Sequence, residues 1–328
     1  MPGPHPAVAA TRVALRRSLA QLESGTLVLV AVSGGADSLA LAAAAAFELP
    51  KRAIRVGAVI VDHRLQRESA QVAATAADCC RTLGIDPVVV SAVDVDQDSP
   101  LGPEAAARQA RHRAFAEAVS AAGAACLLLG HTRDDQAETV LLRMARGSGL
   151  RALAAMSPDG PGIIRRPFLL DIARADTRAA CAAQGLKWWD DPHNEDARFT
   201  RVRTRRALAA LTADLGPGLV EGLARTAALA RQDADHLDAQ AAAVAARLGP
   251  APWAVAQLRE IPIAVRARVW RVLMARANGG SADVAFVQVT SLEALLTRWR
   301  GQGPVDIPGG LQVHRHDGVI ETAARPVQ

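Results

Sequence analysis

The chain has 328 residues, half of them hydrophobic, with four cysteines and a formal net charge of +5. That length supports two domains and a sizeable core, while no apolar stretch is long and charge-free enough to span a bilayer. The N-terminus shows no apolar signal core before its charges, so a cytoplasmic protein without membrane contact is expected.

The basic excess permits a polyanionic partner without requiring one, and nearly all of it is arginine, since only Lys51 and Lys187 are lysines. The cysteines, Cys79, Cys80, Cys126 and Cys181, show no C-x-x-C spacing and read as buried, inert thiols.

In chain order, residues 8–22 have the apolar spacing of a short amphipathic helix. Residues 26–32 (TLVLVAV) form a strand that feeds into Ser33-Gly34-Gly35-Ala36-Asp37-Ser38, and an alanine-rich helix follows. Strand, small-residue turn and helix together place backbone N–H groups and a helix dipole around a phosphate. The glycines let the backbone approach a ligand, the serines add hydroxyls, and Asp37 adds a carboxylate suited to Mg²⁺ beside phosphate oxygens. No Walker-type lysine is present, which suits a released pyrophosphate better than a transferred γ-phosphoryl group.

Residues 53–61 predict a second strand ending in Asp62-His63-Arg64, and a helix then runs to about residue 83. Residues 87–93 read as a third strand, 94–103 as a polar loop, 104–122 as a helix and 125–129 as a fourth strand. Alternation at this spacing predicts a doubly wound parallel sheet, an α/β fold whose ligands sit beyond the carboxyl ends of the strands. Ser33, Asp62-His63 and Gly130-His131 all fall there.

The segment from His131 to Thr139 (HTRDDQAET) is a second centre of chemistry. Asp135 and Glu138 share a face of a first helical turn, where they suit Mg²⁺ or a substrate ammonium, while Asp134 is assigned to capping. His131 reads either as a satisfied structural imidazole or as a participant in the crevice. Arg108 and Arg111 share a helical face, either solvated or aimed at a phosphate or RNA.

Residues 171–184 predict a helix, after which Trp188, Trp189 and Phe199 flank an acidic turn carrying His193 and Asn194. Arg198, Arg201, Arg203, Arg205 and Arg206 follow, either as an RNA-facing cluster or as a basic helix start paired with the preceding acids. Gly216-Pro217-Gly218 marks the expected boundary of a catalytic domain at 1–216. A helical connector over 217–248 and a small C-terminal domain over 249–328 follow, the latter helical and ending in a β-hairpin turned at Asp317-Gly318.

With these elements in order, the chain resembles bacterial tRNA(Ile)-lysidine synthetase, of the PP-loop ATP pyrophosphatase superfamily. The resemblance rests on the hexapeptide 33–38, Val61-Asp62-His63-Arg64-Leu65, Glu104 with Ala107-Arg108 and Arg111, and His131 to Thr139. It extends to Arg146-Gly147-Ser148-Gly149, Arg166-Pro167, Asp191-Pro192-His193-Asn194 and the tail Val305 to Gly310. His193 stands where the family usually has Ser, and Val202 where it usually has Asn. The further C-terminal domain of longer relatives is expected to be missing or reduced.

The resemblance implies ATP-dependent joining of free L-lysine to C2 of the wobble cytidine in the isoleucine tRNA with a CAU anticodon. The reaction runs through an adenylated cytidine, with release of pyrophosphate and AMP. On that reading Ser33 to Ser38, Asp62 and His63 hold the nucleotide, and Asp37 binds Mg²⁺. Asp37, Arg108, His131, Asp135 and Glu138 carry the chemistry, and Arg111, Asn194, Arg201, Arg203 and Arg205 meet the tRNA. Oligomeric state is left open, a homodimer included. The alternatives are a PP-loop tRNA 2-thiolation enzyme, which usually needs paired cysteines, and a non-catalytic nucleotide- or RNA-binding module.

Overall fold

Side chains alternate across the first strand, β1 (Leu27–Ala31), and both of its faces are apolar. Val28 and Val30 join one buried cluster, and Leu27 and Leu29 join another. A strand apolar on both faces must be covered on both, each fully buried Val or Leu contributing about 1.5–3 kcal/mol. A computed structural model, which describes residues 3–64, 68–94, 102–147, 149–160, 162–280 and 284–325, shows how this is done. Most of the loop expected over 94–103, together with Leu65, Ser148 and the side chain of Glu104, lies outside the described residues.

Helix α1 (Pro6–Ser18) precedes β1, and α2 (Ala36–Glu48) follows it. Then come β2 (Arg55–Asp62), α3 (Ser69–Thr82), β3 (Val88–Ala92), α4 (Pro103–Ala122) and β4 (Cys126–Leu128). Next are α5 (Arg133–Ala145), the short α6 (Leu150–Leu153), β5 (Ile164–Arg165) and α7 (Arg174–Ala183). The five strands are all parallel, in the order β3-β2-β1-β4-β5. The expected doubly wound sheet is therefore present. Buried residues of α1, α2, α3 and α7 cover one face, and Phe115, Ala118 and Val119 of α4 cover the other. β3 is an edge strand and only partly covered, with Val90 exposed. The order reverses between β1 and β4, which opens a crevice at their carboxyl ends.

Helix α8 (Thr200–Leu215) and the long α9 (Leu219–Leu248) follow. The chain divides into compact units Met1–Leu229 and Ala230–Gln328, a division that falls inside α9. The bend at 216–218 does not end the first unit, because the first turns of α9 still belong to it. Ala224 and Ala227 are buried there, and Glu221 pairs with Arg133 at 3.0 Å.

The second unit departs from the expectation that it is helical up to its terminal hairpin, because a strand follows α9. Trp253 and Ala254 form a strand, β6 (Trp253–Ala254), ahead of α10 (Val255–Glu260) and α11 (Ile263–Ala277). α12 (Phe286–Thr297), β7 (Val305–Ile307), β8 (Leu311–His316) and β9 (Val319–Ala324) complete the unit. The hairpin turned at Asp317-Gly318 is the centre of a four-stranded antiparallel sheet, β6-β9-β8-β7. A strand of two residues carries no periodicity to read; its pairing with β9 creates it. Trp253 and Trp270 pack edge to face in this core, with ring centroids 6.4 Å apart. Beside them Glu293 accepts from Trp270 Nε1 at 2.8 Å and from the buried Arg266 at 2.7 Å. Among the described residues no single helix is long and apolar enough to cross a membrane.

Candidate active site

The turn between β1 and α2 is held by its own serines. Ser38 Oγ accepts from the Ser33 N–H at 3.1 Å and donates to the Gly35 carbonyl at 2.9 Å. Gly34 sits at φ +83°, in the left-handed region that disfavours a side chain, and its carbonyl accepts from the Trp189 N–H at 3.0 Å. Gly35 is the N-cap of α2 and brings no capping side chain, so the first N–H groups of the helix are left for a ligand.

A crevice of about 430 Å³ opens beyond β1, β2 and β4. Of the residues singled out in the sequence, Ser33, Asp37, Ser38, Asp62 and His63 line it, as do Arg108, Arg111, His131, Asp135 and Arg201. Gly34, Gly35 and Ala36 shape the turn without lining the space, and Glu138, Asn194, Arg203 and Arg205 do not line it. His112, Met156, Arg166 and Trp189 line it although the sequence reading gave them no role there. The Arg166-Pro167 pair had been noted only as part of a pattern.

Arg108, Arg111, Arg166 and Arg201 make this crevice an anion site, and its imidazoles respond. Burial, opposed by Asp135 and aided by Arg166, Arg201 and Arg111, pushes His131 down to about 4. Burial and Arg111 lower His63, and burial with Arg108, Arg111 and Arg166 lowers His112. All three are neutral at physiological pH and serve as hydrogen-bonding groups, not as cations. Nδ1 of His131 and Nδ1 of His63 are buried without a hydrogen-bond partner.

The carboxylates are organised by a residue the sequence reading missed. Arg174, at the start of α7, donates from Nη2 to Asp135 Oδ1 at 2.9 Å. It donates to Glu138 Oε1 from both Nη1 and Nη2 at 3.1 Å, and its Nε stands 3.9 Å from Asp37 Oδ2. One helical turn on, Thr177 donates its hydroxyl to Asp37 Oδ1. Residues i and i+3 of one helix thus grip the turn's carboxylate and the two acids of α5. A cation at a helix N-terminus opposes the dipole, and that misplacement was the available signal. Burial disfavours the charge on Arg174, but Asp135, Glu138, Asp37 and Asp134 outweigh it and raise its pKa.

The acids divide their work differently from expectation. Asp134, assigned to capping its own helix, instead accepts from the Arg174 N–H at 2.8 Å and so caps α7. Asp135 is the one that caps α5: its Oδ2 accepts from the Thr132 N–H at 2.8 Å. Burial alone would raise the Asp135 carboxyl, but Arg174, His131 and the Thr132 N–H hold it below its usual range. Asp37 goes the other way. Burial raises it to about 6, against the Thr177 hydrogen bond and Arg174 and with help from Asp135 and Asp134.

Of the five clustered arginines only Arg201 lines the crevice. Arg198 pairs with Asp196 at 2.7 Å, and Arg203 turns back onto the carbonyls of Ala197 and Arg198. Arg206 donates to the Glu195 carbonyl, and Arg205 Nε donates to Glu138 Oε1 at 2.9 Å. Helical geometry decides this, since residues 201 and 205 share a face that 203 does not. Asn194 lies in the 3₁₀ turn Pro192–Asn194, with its N–H on the Asp191 carbonyl. Val202 is buried, which explains an apolar residue at that place.

Comparison with known proteins decides what this crevice belongs to. Residues 11–211 match the PP-loop domain family, and residues 254–320 match the TilS substrate binding domain. The tRNA(Ile)-lysidine synthase of Thermobifida fusca is 49% identical over 327 residues, covering 99% of this chain and 100% of that protein. That of Salinispora tropica is 50% identical, covering 98% of this chain and 97% of its own. The chain belongs to the tRNA(Ile)-lysidine synthase family.

The fold agrees with a wider likeness. The U34-tRNA thiolase NcsA from Methanococcus maripaludis aligns with a TM-score of 0.58 over 69% of this chain and 80% of its own, at 19% identity. At that identity the fold alone is shared. The lysidine synthase chain has four free cysteines; burial pushes Cys80 and Cys181 up to about 12 and Cys126 to about 11, and raises Cys79. Such thiols are poor nucleophiles, and none of the four lines the crevice. Among the described residues no group of three acids, histidines or cysteines could hold a metal alone. One carboxylate beside a phosphate cradle nevertheless fits Mg²⁺, which takes few protein ligands and completes its shell with phosphate and water.

Proposed function

We propose that this lysidine synthase joins L-lysine to C2 of the wobble cytidine in the CAU-anticodon isoleucine tRNA, using ATP and releasing pyrophosphate and AMP. The observation that supports the reading is that the turn between β1 and α2 and the Asp135 carboxylate meet at one crevice, Asp37 and Asp135 both being held from α7 by Thr177 and Arg174.

In the first half-reaction the N–H groups of the turn and the start of α2 receive the leaving pyrophosphate. Arg108, Arg111, Arg166 and Arg201 line the crevice and stabilise charge on the α-phosphate as it passes to the cytidine oxygen. Asp37 would hold Mg²⁺ beside the phosphates, and the ion would add charge neutralisation there. Trp189 and the neutral His131 and His112 line the space where an unstacked cytidine enters, offering a stacking face and hydrogen-bonding edges.

In the second half-reaction Asp135, with Glu138 buried behind it, draws the lysine ammonium to the crevice, where the amine gives up a proton to solvent and attacks C2. The electron pair of the C2–O bond leaves with AMP. Since the substrate is a tRNA, the reaction is assigned to the cytoplasm.

The test is incorporation of labelled lysine into CAU-anticodon isoleucine tRNA, with methionine tRNA as control and AMP plus pyrophosphate as co-products. Label in the isoleucine tRNA alone supports the reading. ADP formation, or ATP turnover without lysine transfer, overturns it.

A further inference from the structure

Glu138 is 1% exposed, and its two oxygens are treated very differently. Oε1 accepts three N–H groups, two from Arg174 at 3.1 Å and one from Arg205 at 2.9 Å. Oε2 is buried with no hydrogen-bond partner. An anionic oxygen buried without a donor is costly, and the cost is recovered when a donor arrives. Arg205 sits on α8 four residues after Arg201, so both point from one helical face, Arg201 into the nucleotide crevice and Arg205 onto Glu138.

We propose that Arg205 is a positioning residue of the amine site and not an RNA contact: with Arg174 it saturates Glu138 Oε1 and so fixes, behind Asp135, the buried carboxylate whose charge draws the lysine ammonium to the crevice. The guanidinium lies across the carboxylate from the side of α8, whereas Arg174 approaches from α7. Two cations from different elements fix the plane of one carboxylate, which neither fixes alone. The inference rests on lysine being the second substrate.

The test compares R205A, R205K and R201A in the full-length protein, reading KM for lysine, KM for ATP, and tRNA affinity as a function of salt. For R205A, KM for lysine is expected to rise about tenfold or more, with KM for ATP, tRNA affinity and salt slope unchanged. R205K, which returns one charged N–H to Oε1, recovers part of that loss. R201A weakens tRNA binding and lowers the salt slope instead. The proposal is overturned if R205A weakens tRNA binding and flattens its salt slope while KM for lysine stays put, or if R205A changes neither. Should R205A fold poorly, R205K decides: KM for lysine raised above wild type supports the proposal, and an unchanged KM overturns it. Absence of lysine transfer by the wild-type protein is a separate result and removes the functional reading itself.

Discussion

Gly130, at the end of β4, lies so close to the start of α2 that a Cβ there would stand 2.9 Å from the Asp37 carbonyl oxygen and 3.1 Å from the Ser38 nitrogen. The contact is with backbone on both atoms, which cannot turn aside. It ties the end of one strand to the phosphate turn at the end of another. G130A is therefore expected to push the start of α2 outward, destabilising the protein by about 1–3 kcal/mol. It should raise KM for ATP at least as much as KM for lysine. Melting curves and steady-state kinetics check both.

Arg174 is the shared partner of three carboxylates, and removing it leaves Asp37 and Asp135 without that cation and Glu138 with Arg205 alone. R174A is expected to cost about 2–4 kcal/mol of stability and to abolish lysine transfer. E138Q removes one of the like charges that R174A leaves crowded together, so the double variant should lose less stability than the two single losses added together. Denaturant titration of the four proteins measures the coupling.

Asp37 titrates in the folded protein near pH 6 against an ordinary value of 3.8. A carboxyl with a raised folded pKa holds its proton more readily when folded, so ionising it costs stability as pH rises from about 4 to about 6. D37N removes that cost. Its gain in stability over wild type should be negligible near pH 4 and reach about 1–3 kcal/mol above pH 6. The same variant should lose adenylation while retaining tRNA binding. A variant that is more stable yet inactive is what a strained functional carboxylate gives.

Arg201 lines the crevice, whereas Arg203 is spent on the carbonyls of its own loop. R201A should reduce the slope of log affinity for tRNA against log salt by about 1, as one lost phosphate contact requires. R203A should leave that slope in place and loosen the loop at 197–200 instead. Filter binding at several salt concentrations separates them.

The parallel sheet, the phosphate turn and the strand ends at which polar groups collect are legible in the residues taken in chain order. All three are local: apolar runs of strand length, a run of small residues between strand and helix, and polar residues just after each run. The same locality placed Asp37, Asp135 and His131 in the crevice. Only the tertiary structure decided what those groups touch. Arg174 and Thr177 lie about 140 residues from Asp37 in sequence and meet it because α7 packs against α2. Which of Asp134 and Asp135 caps α5, and which of Arg201 and Arg205 lines the crevice, turned on what each side chain meets once its helix is packed. A hydrogen bond between distant elements leaves no period in a sequence, so composition and spacing found where the chemistry is, and packing assigned each atom its partner.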